Sequence, residues 1–546
     1  MTLPDKVQAL LDGYGISEEE LEAVEVTPSQ ARALTAFTPP EGRYSRYVKP
    51  LYEITSESET IRRKVRVSTD AFIAVSELMD SYDGMHKDKK IVRHLTHEEK
   101  AKLKNIPKSM TLRDFQQVKE FEKLSQHDTA AATDWVKYTA GKMGIDLDDS
   151  IDGFHFGMTS EDIVLNVFGL QNKEIMERLV IPTITDMVEK FIDYGSNLVV
   201  AAMTHGQPAE PTTLAKKFLY TVEAINTELQ HLIEYDHIIE TVDGAVDEGG
   251  LSVQKITAVP KPVKFYGKLL GAVGNLNDLK AAYPDIDWLQ FHRDFVAKLG
   301  LKPLDVAHQT GNYTDIRHVY TTIEGITQQV KKLSGDFWDL ASAQWFKKNP
   351  KKGHKGSSAM PHKFNPWEIE GAIKYAGKGL AQLDYTWREL IDYRHEGDMG
   401  RSILQRDIGD DFAKIIIGFK RVMNELDKYE TYDRKVRDYL DANPALVSGA
   451  AMTILKREGV SGDAYRLMQT MSVDKTGAYV DRVTFDRKLS DAMIDGHIPT
   501  KAGDDIRHHL DPANNIGEAE RICLEAVQRA RGTIATLREI YKVKAE

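Results

Sequence analysis

Ile369, Ile373, Ala376, Leu380, Leu383, Trp387 and Leu390 place apolar side chains three or four residues apart along one uninterrupted stretch. A half-buried strand would alternate every second residue, so this spacing specifies a long helix with one buried face. Ile184, Val188, Phe191, Ile192 and Leu198 repeat it, which predicts a helix over 184–200, and the run 218–239 reads as another long amphipathic helix. Helices of about 25 residues or more cannot bury their apolar stripes alone and specify a bundle or coiled assembly. Strand-like runs of β-branched residues are few and short. The fold class is therefore all-α. Residues 1–155 read as mixed helix and loop, 156–430 as the long-helix region, and 431–546 as shorter helices split by Gly459, Gly462, Gly477, Gly496 and Pro499.

At 546 residues the chain exceeds one compact core. Apolar content of 41% and charged content of 28% are those of a globular protein. A net charge of −11 argues against general nucleic-acid binding, which wants a basic surface. The one cysteine, Cys523, lies in a helical pattern and reads as a small buried hydrophobe, so nothing implies an oxidising compartment. The first residues carry no basic-then-apolar leader, and no stretch approaches the ~18 apolar residues of a membrane span. A cytosolic protein without membrane contact is expected. No Cys/His cluster has zinc spacing, and no phosphate-binding or dinucleotide Gly-rich loop appears, so neither metal nor cofactor is expected.

One loop stands out against this acidic background. Gly356-Ser357-Ser358-Ala359-Met360-Pro361-His362-Lys363-Phe364-Asn365-Pro366 combines two hydroxyls, a Lys and an Asn amide. Gly353 and Gly356 permit backbone swings, and Pro361 and Pro366 fix φ on either side of the polar cluster. Lys347, Lys348, Lys351, Lys352 and Lys355 make its approach positive, which suits a small polyanion. Its order, GSS-x-MP-x-K-x-NP, resembles the signature of the fumarase/aspartase superfamily, whose members release fumarate from succinyl compounds. His362 in the variable slot is similar to the adenylosuccinate lyase family.

Other segments carry the same resemblance. Thr204-His205-Gly206-Gln207-Pro208 resembles the family's TH-x-Q motif, with His205 expected at a helix exit. Phe154 to Ile163 resembles its HF-x-x-TSEDI segment, where Thr159 and Ser160 would hold a substrate carboxylate and, with Asp162, serve as candidate helix caps. Ser125-Gln126-His127-Asp128 resembles the segment that closes the first domain's substrate-facing loop. Arg43-Tyr44 resembles the segment expected to grip the nucleotide phosphate, for which Arg has the bidentate geometry. Gly267 to Asn277 and Ala281 to Trp288 resemble the bacterial enzymes, and Gln309 lies near where the family places an amide on the purine or succinyl group.

The resemblance implies a three-domain fold whose central bundle assembles into a tetrameric helical core, with each site drawn from three subunits. It implies a succinylated purine nucleotide as substrate, cleaved by β-elimination to fumarate and AMP, with the succinylated imidazole-carboxamide ribotide as second substrate. Ser357 would be the base and His205 the acid, backed by Glu370, while Lys363 and Asn365 hold the succinyl carboxylates. Three features depart from the pattern. Around the R-D-x-[ST]-x-S-x-x-x-R segment, Ser402 and Arg406 keep their spacing, but Gly397 stands where Arg is usual and Arg401 follows four residues on. His354-Lys355 replaces an acidic-apolar pair, and 243–262 reads as an insertion. Argininosuccinate lyase chemistry and a non-catalytic helical scaffold are the alternatives. Arg43-Tyr44 and His362 speak against the first. Ser357, His205, Lys363, Asn365 and Glu370 together speak against the second.

Overall fold

The computed structural model describes residue 8 and residues 11–12, 16–145, 147, 150–246, 252–349, 356, 359–460 and 463–543. Gly462 and residues 1–6 lie outside this set. Helices dominate. α1 (Glu57–Ser81) and α2 (Asp128–Lys142) belong to the N-terminal part. α3 (Glu161–Ile175) runs through a π-helical turn, Met176–Val180, into α4 (Ile181–Tyr194). Pro182 has no N–H for the preceding turn, and the wider turn lies where that bond would be missing.

α4 stops at Tyr194, six residues short of the expected end, and Leu198 lies outside it. The chain instead forms a hairpin, β1 (Val199–Thr204) and β2 (Gln207–Thr213). His205 and Gly206 make its turn, both at positive φ (52° and 72°). Turns of that hand match the twist of the flanking strands. His205 therefore stands at a hairpin tip, not at a helix exit; stiff Val199 and Val200 favour the strand.

α5 (Leu214–Gln230) starts where Thr213 Oγ1 accepts from the Lys216 amide (3.2 Å). It ends at Gln230, so the expected helix over 218–239 is cut short. From Ile233 the chain is β3 (Ile233–Val246), paired antiparallel with β4 (Ser252–Pro262). Short apolar runs fit either period, and here a distant partner strand decides. The run read as an insertion is mostly the returning strand of this arm, and at 14 residues β3 is not a short strand. The Tyr541 hydroxyl pins the arm's base, donating to the Leu232 carbonyl (3.0 Å) and accepting from the Val263 amide (3.3 Å).

The bundle follows. α6 (Thr314–Ser342) leads through β5 (Phe346–Lys348) to α7 (Trp367–Ile391), α8 (Arg401–Leu426) and β6 (Tyr429–Thr431), which pairs with β5. α7 packs against both α6 and α8 and buries Ile369, Ala376, Leu383 and Leu390 of the predicted stripe. Gly379 lets α8 approach, since a Cβ there would lie 2.4 Å from Ile415. Phe412, Ile416 and Phe419 are fully enclosed, and each such side chain contributes roughly 1.5–3 kcal/mol over exposure. α9 (Ala519–Ile540) returns to pack on α4 and α5, with Cys523 buried as expected. One apolar core runs from Val48 to Tyr541, and a separate smaller one from Val447 to Leu510 unites the shorter helices. The protein is all-α in class despite the two hairpins. Among the described residues no helix is long and apolar enough to cross a membrane.

Candidate active site

A cavity of about 120 Å³ is lined from α1, α2, α3 and the start of α8. It gathers seven residues singled out in the sequence: His127, Asp128, Ser160, Gln309, Arg401, Ser402 and Arg406. Lys64, Glu161 and Gln405 also line it and were not foreseen.

The segment Ser125-Gln126-His127 is the elbow before α2. Gln126 takes a left-handed conformation (φ 52°), and the Ser125 hydroxyl donates to the His127 carbonyl (3.3 Å). His127 caps α2, its Nδ1 accepting from the Ala130 amide (3.3 Å). In the neutral ring the proton then sits on Nε2. Asp128 meets Lys64 Nζ at 2.6 Å and Arg406 Nη2 at 3.0 Å. Burial pushes its carboxyl up, but the two cations prevail and hold it well below the usual carboxylate range. Arg406 also reaches the Ser402 hydroxyl (3.5 Å), which itself donates to the Met399 carbonyl (2.9 Å).

At the start of α3, the Thr159 amide donates to Asp162 Oδ2 (2.9 Å), while among the described residues the side chain of Ser160 makes no capping bond. Asp162 is more than a cap. It is fully buried, paired with the equally buried Lys268, and accepts from the amides of Leu270 (2.9 Å) and Gly271 (3.1 Å). This one carboxylate lays the 268–271 loop against α3. Nothing local in the sequence marks the pairing. Beside it, burial pushes the Glu161 carboxyl up, partly offset by Arg401 and by the Thr310 hydroxyl at 3.1 Å. The backbone N–H of Gln309 donates to the Glu396 carbonyl (3.0 Å), tying its loop to the turn before α8.

The remaining expected residues lie elsewhere. His205 and Gln207 are exposed on the β1–β2 hairpin. Glu370, exposed in the first turn of α7, accepts from Trp338 Nε1 (3.2 Å). Among the described residues no hydrogen bond or ion pair joins His205 to Glu370, so the expected pair is not made within one chain. Arg43 is exposed, and the Tyr44 hydroxyl accepts from Arg421 Nη1 (2.9 Å) with its ring edge-on to Tyr375; neither lines the cavity.

Ser357, Ser358, Lys351, Lys352, Gly353, His354 and Lys355 lie outside the described residues. Around them the signature segment folds back on itself, for a Cβ on Gly356 would lie 2.3 Å from the Lys363 carbonyl. Here glycine serves close approach. Two of the five approach lysines are not a free basic surface. Lys347 pairs with Glu430 (2.7 Å), and Lys348, buried, pairs with Glu425 (2.8 Å) and donates to the Asn365 carbonyl (2.9 Å). Arg421 meets Glu368 (3.3 Å) and donates to the Trp367 carbonyl (2.9 Å). A buried charge network on α8 thus grips the C-terminal end of the signature segment, at Asn365 and Trp367. Arg421 and Glu425 are remote in sequence and carried no motif.

A family model described as "Lyase" matches residues 42–256 and 253–378, which spans the hairpin, the cavity-lining α3 and the signature segment. Adenylosuccinate lyase from Dictyostelium discoideum is 30% identical over 506 residues, covering 90% of this chain and 98% of that one. Adenylosuccinate lyase from Escherichia coli (strain K12) is 25% identical over 438 residues, covering 78% and 86%. Among solved structures, 3-carboxy-cis,cis-muconate lactonizing enzyme from Pseudomonas putida superposes with TM-score 0.64 at 15% identity, covering 90% of this chain and 99% of that one. Fumarate lyase from Mesorhizobium sp. BNC1 gives 0.60 at 13%, covering 91% and 98%. These two likenesses establish the fold.

Proposed function

The chain belongs to the adenylosuccinate lyase family of the fumarase/aspartase superfamily, and from that premise we propose how its residues release fumarate. It is a carbon–nitrogen lyase of purine nucleotide biosynthesis, acting on adenylosuccinate to give AMP and fumarate. The imidazole-carboxamide analogue is its second substrate.

In this reading Ser357 removes the proton from the carbon beside a carboxylate, a position of very low acidity. The electron pair passes onto that carboxylate and returns to expel the purine nitrogen, leaving the fumarate double bond. His205 protonates the departing nitrogen. Lys363 and Asn365 hold the succinyl carboxylates as charge gathers on oxygen. Lys363, loop amides and exclusion of water lower the Ser357 pKa enough for it to act. Thr159 and Ser160, at the N-terminus of α3, hold an anionic group of the substrate, Gln309 its amide-facing edge, and Arg43-Tyr44 the phosphate.

The working enzyme is a cytosolic homotetramer, with each site drawn from three subunits. The observation that carries this is the division of the expected residues. One set converges on a cavity within the chain, while His205, Glu370 and Lys363 lie exposed. A partner copy supplies what the cavity lacks.

The test is fumarate release, followed by absorbance, from adenylosuccinate, the succinylated ribotide and argininosuccinate in parallel. The two purine precursors should turn over and argininosuccinate should not. No fumarate from any of them would refute the reading.

A further inference from the structure

We propose that Arg401 is an anion-binding residue of the cavity, given its place by the glycine at 397. Arg401 opens α8 and is only 3% exposed. Its guanidinium lies 5.2 Å from the Tyr393 ring, and among the described residues its Nε and Nη1 have no hydrogen-bond partner. Its nearest carboxylates, Glu161 and Asp398, stop at 3.9 and 4.0 Å, beyond hydrogen-bond reach. Both are engaged elsewhere. Glu161 accepts from Thr310, and Asp398 from the amides of Arg394 (2.9 Å) and Gly400 (2.8 Å). The other cations at this cavity, Lys64 and Arg406, are already bonded to Asp128. A buried cation with unmet donors is costly to the fold. An oxyanion entering the cavity would satisfy it, and Ser402 and Gln309 line the same space.

Gly397 explains how the guanidinium fits. A Cβ at 397 would lie 3.2 Å from Arg401 Nη2 and 2.8 Å from Gln309 Oε1. A side chain at 397 and the guanidinium of Arg401 compete for one space. In a pattern that otherwise carries Arg at 397, this chain brings its cation in from the first turn of α8 instead.

The identity of the anion rests on the lyase reading: it is a substrate carboxylate or the nucleotide phosphate. Titration calorimetry with AMP and with fumarate, on wild type, Arg401→Gln and Arg401→Lys, separates the two. Loss of one charge-assisted contact should weaken one product about tenfold or more in Arg401→Gln and less in Arg401→Lys. Weaker AMP binding assigns the phosphate, and weaker fumarate binding the carboxylate. Gly397→Ala should weaken the same product. Wild type that binds neither product, or a Gln variant that binds both unchanged, overturns the proposal. If the Gln variant fails to fold, unchanged binding by the Lys and Gly397→Ala variants does so. Wild-type turnover is measured alongside. Its absence, with Arg401-dependent binding intact, would refute the lyase reading alone.

Discussion

The cavity beside α3 and α8 and the hairpin-and-signature region differ in how their side chains are held. Around the cavity, Asp162 and Lys268 are fixed by full burial and by each other, Asp128 by Lys64 and Arg406, and Arg401 by burial. At the hairpin tip and the start of α7, His205 and Glu370 are exposed, and Glu370 accepts a hydrogen bond from Trp338. The first region is prebuilt by folding. In the proposed assembly, the second presents groups whose chemical partners come from another copy of the chain. In the proposed mechanism, a site divided in this way keeps its binding floor rigid and puts the proton-transferring groups on separate elements.

Substitutions can break each half separately. Ser357→Ala should lower kcat about 10³-fold while substrate binding persists, read by fumarate absorbance and by titration. Near-normal kcat would remove Ser357 as base. Asp162→Ala strands the Lys268 charge in the rigid half and should cost about 3–5 kcal/mol, seen as a large fall in Tm; an unchanged Tm would mean the pair does not anchor the 268–271 loop. His205→Ala should cost about 10²-fold in kcat with Tm unmoved, and most for the poorest leaving groups. Equal losses for all leaving groups would count against its role as acid.

A subtler effect comes from Asp411, buried between α8 and α7 and accepting from the Thr386 hydroxyl (2.8 Å). Burial pushes its carboxyl up to about 7. Between pH about 4, where the unfolded chain loses this proton, and pH about 7, the folded protein still holds it, so stability falls as pH rises across that window. Asp411→Asn should flatten that part of the Tm profile; an identical slope would show that Asp411 does not set it. At the small end, Arg293→Ala breaks an exposed pair with Asp305 (2.7 Å) and should leave Tm nearly unmoved; a clear fall would show that the pair does stabilise the fold.

Much of this was legible in the chain. The stripe from Ile369 to Leu390 gave α7, because local spacing alone sets a helix's buried face. His127, Asp128, Ser160, Gln309, Ser402 and Arg406 were all singled out, and the fold brings them to one cavity. Leu198 and the 218–239 run misled for one physical reason. Apolar residues such as Ile233, Ile238 and Ile239 suit a strand as well as a helix, and the deciding strand lay up to 29 residues away, as at Ile233 and Pro262. Asp162 with Lys268, and Arg421 with Glu368, were invisible because such pairings are set by tertiary packing. The same holds for Arg401, whose environment depends on Gly397 and Gln309 together.

The central claim is that the exposed half of one copy completes the cavity of another. In this account each site needs His127 from the cavity of one copy and His205 from the exposed half of another, so His205→Ala and His127→Ala proteins, each expected to be nearly inactive alone, should be co-expressed and their mixed assembly assayed for fumarate release. If the site is shared, some sites in the mixture contain both intact histidines, and a substantial fraction of wild-type activity returns. If mixed assemblies form and release no more fumarate than the two variants separately, each site is built within one chain, and the account is wrong.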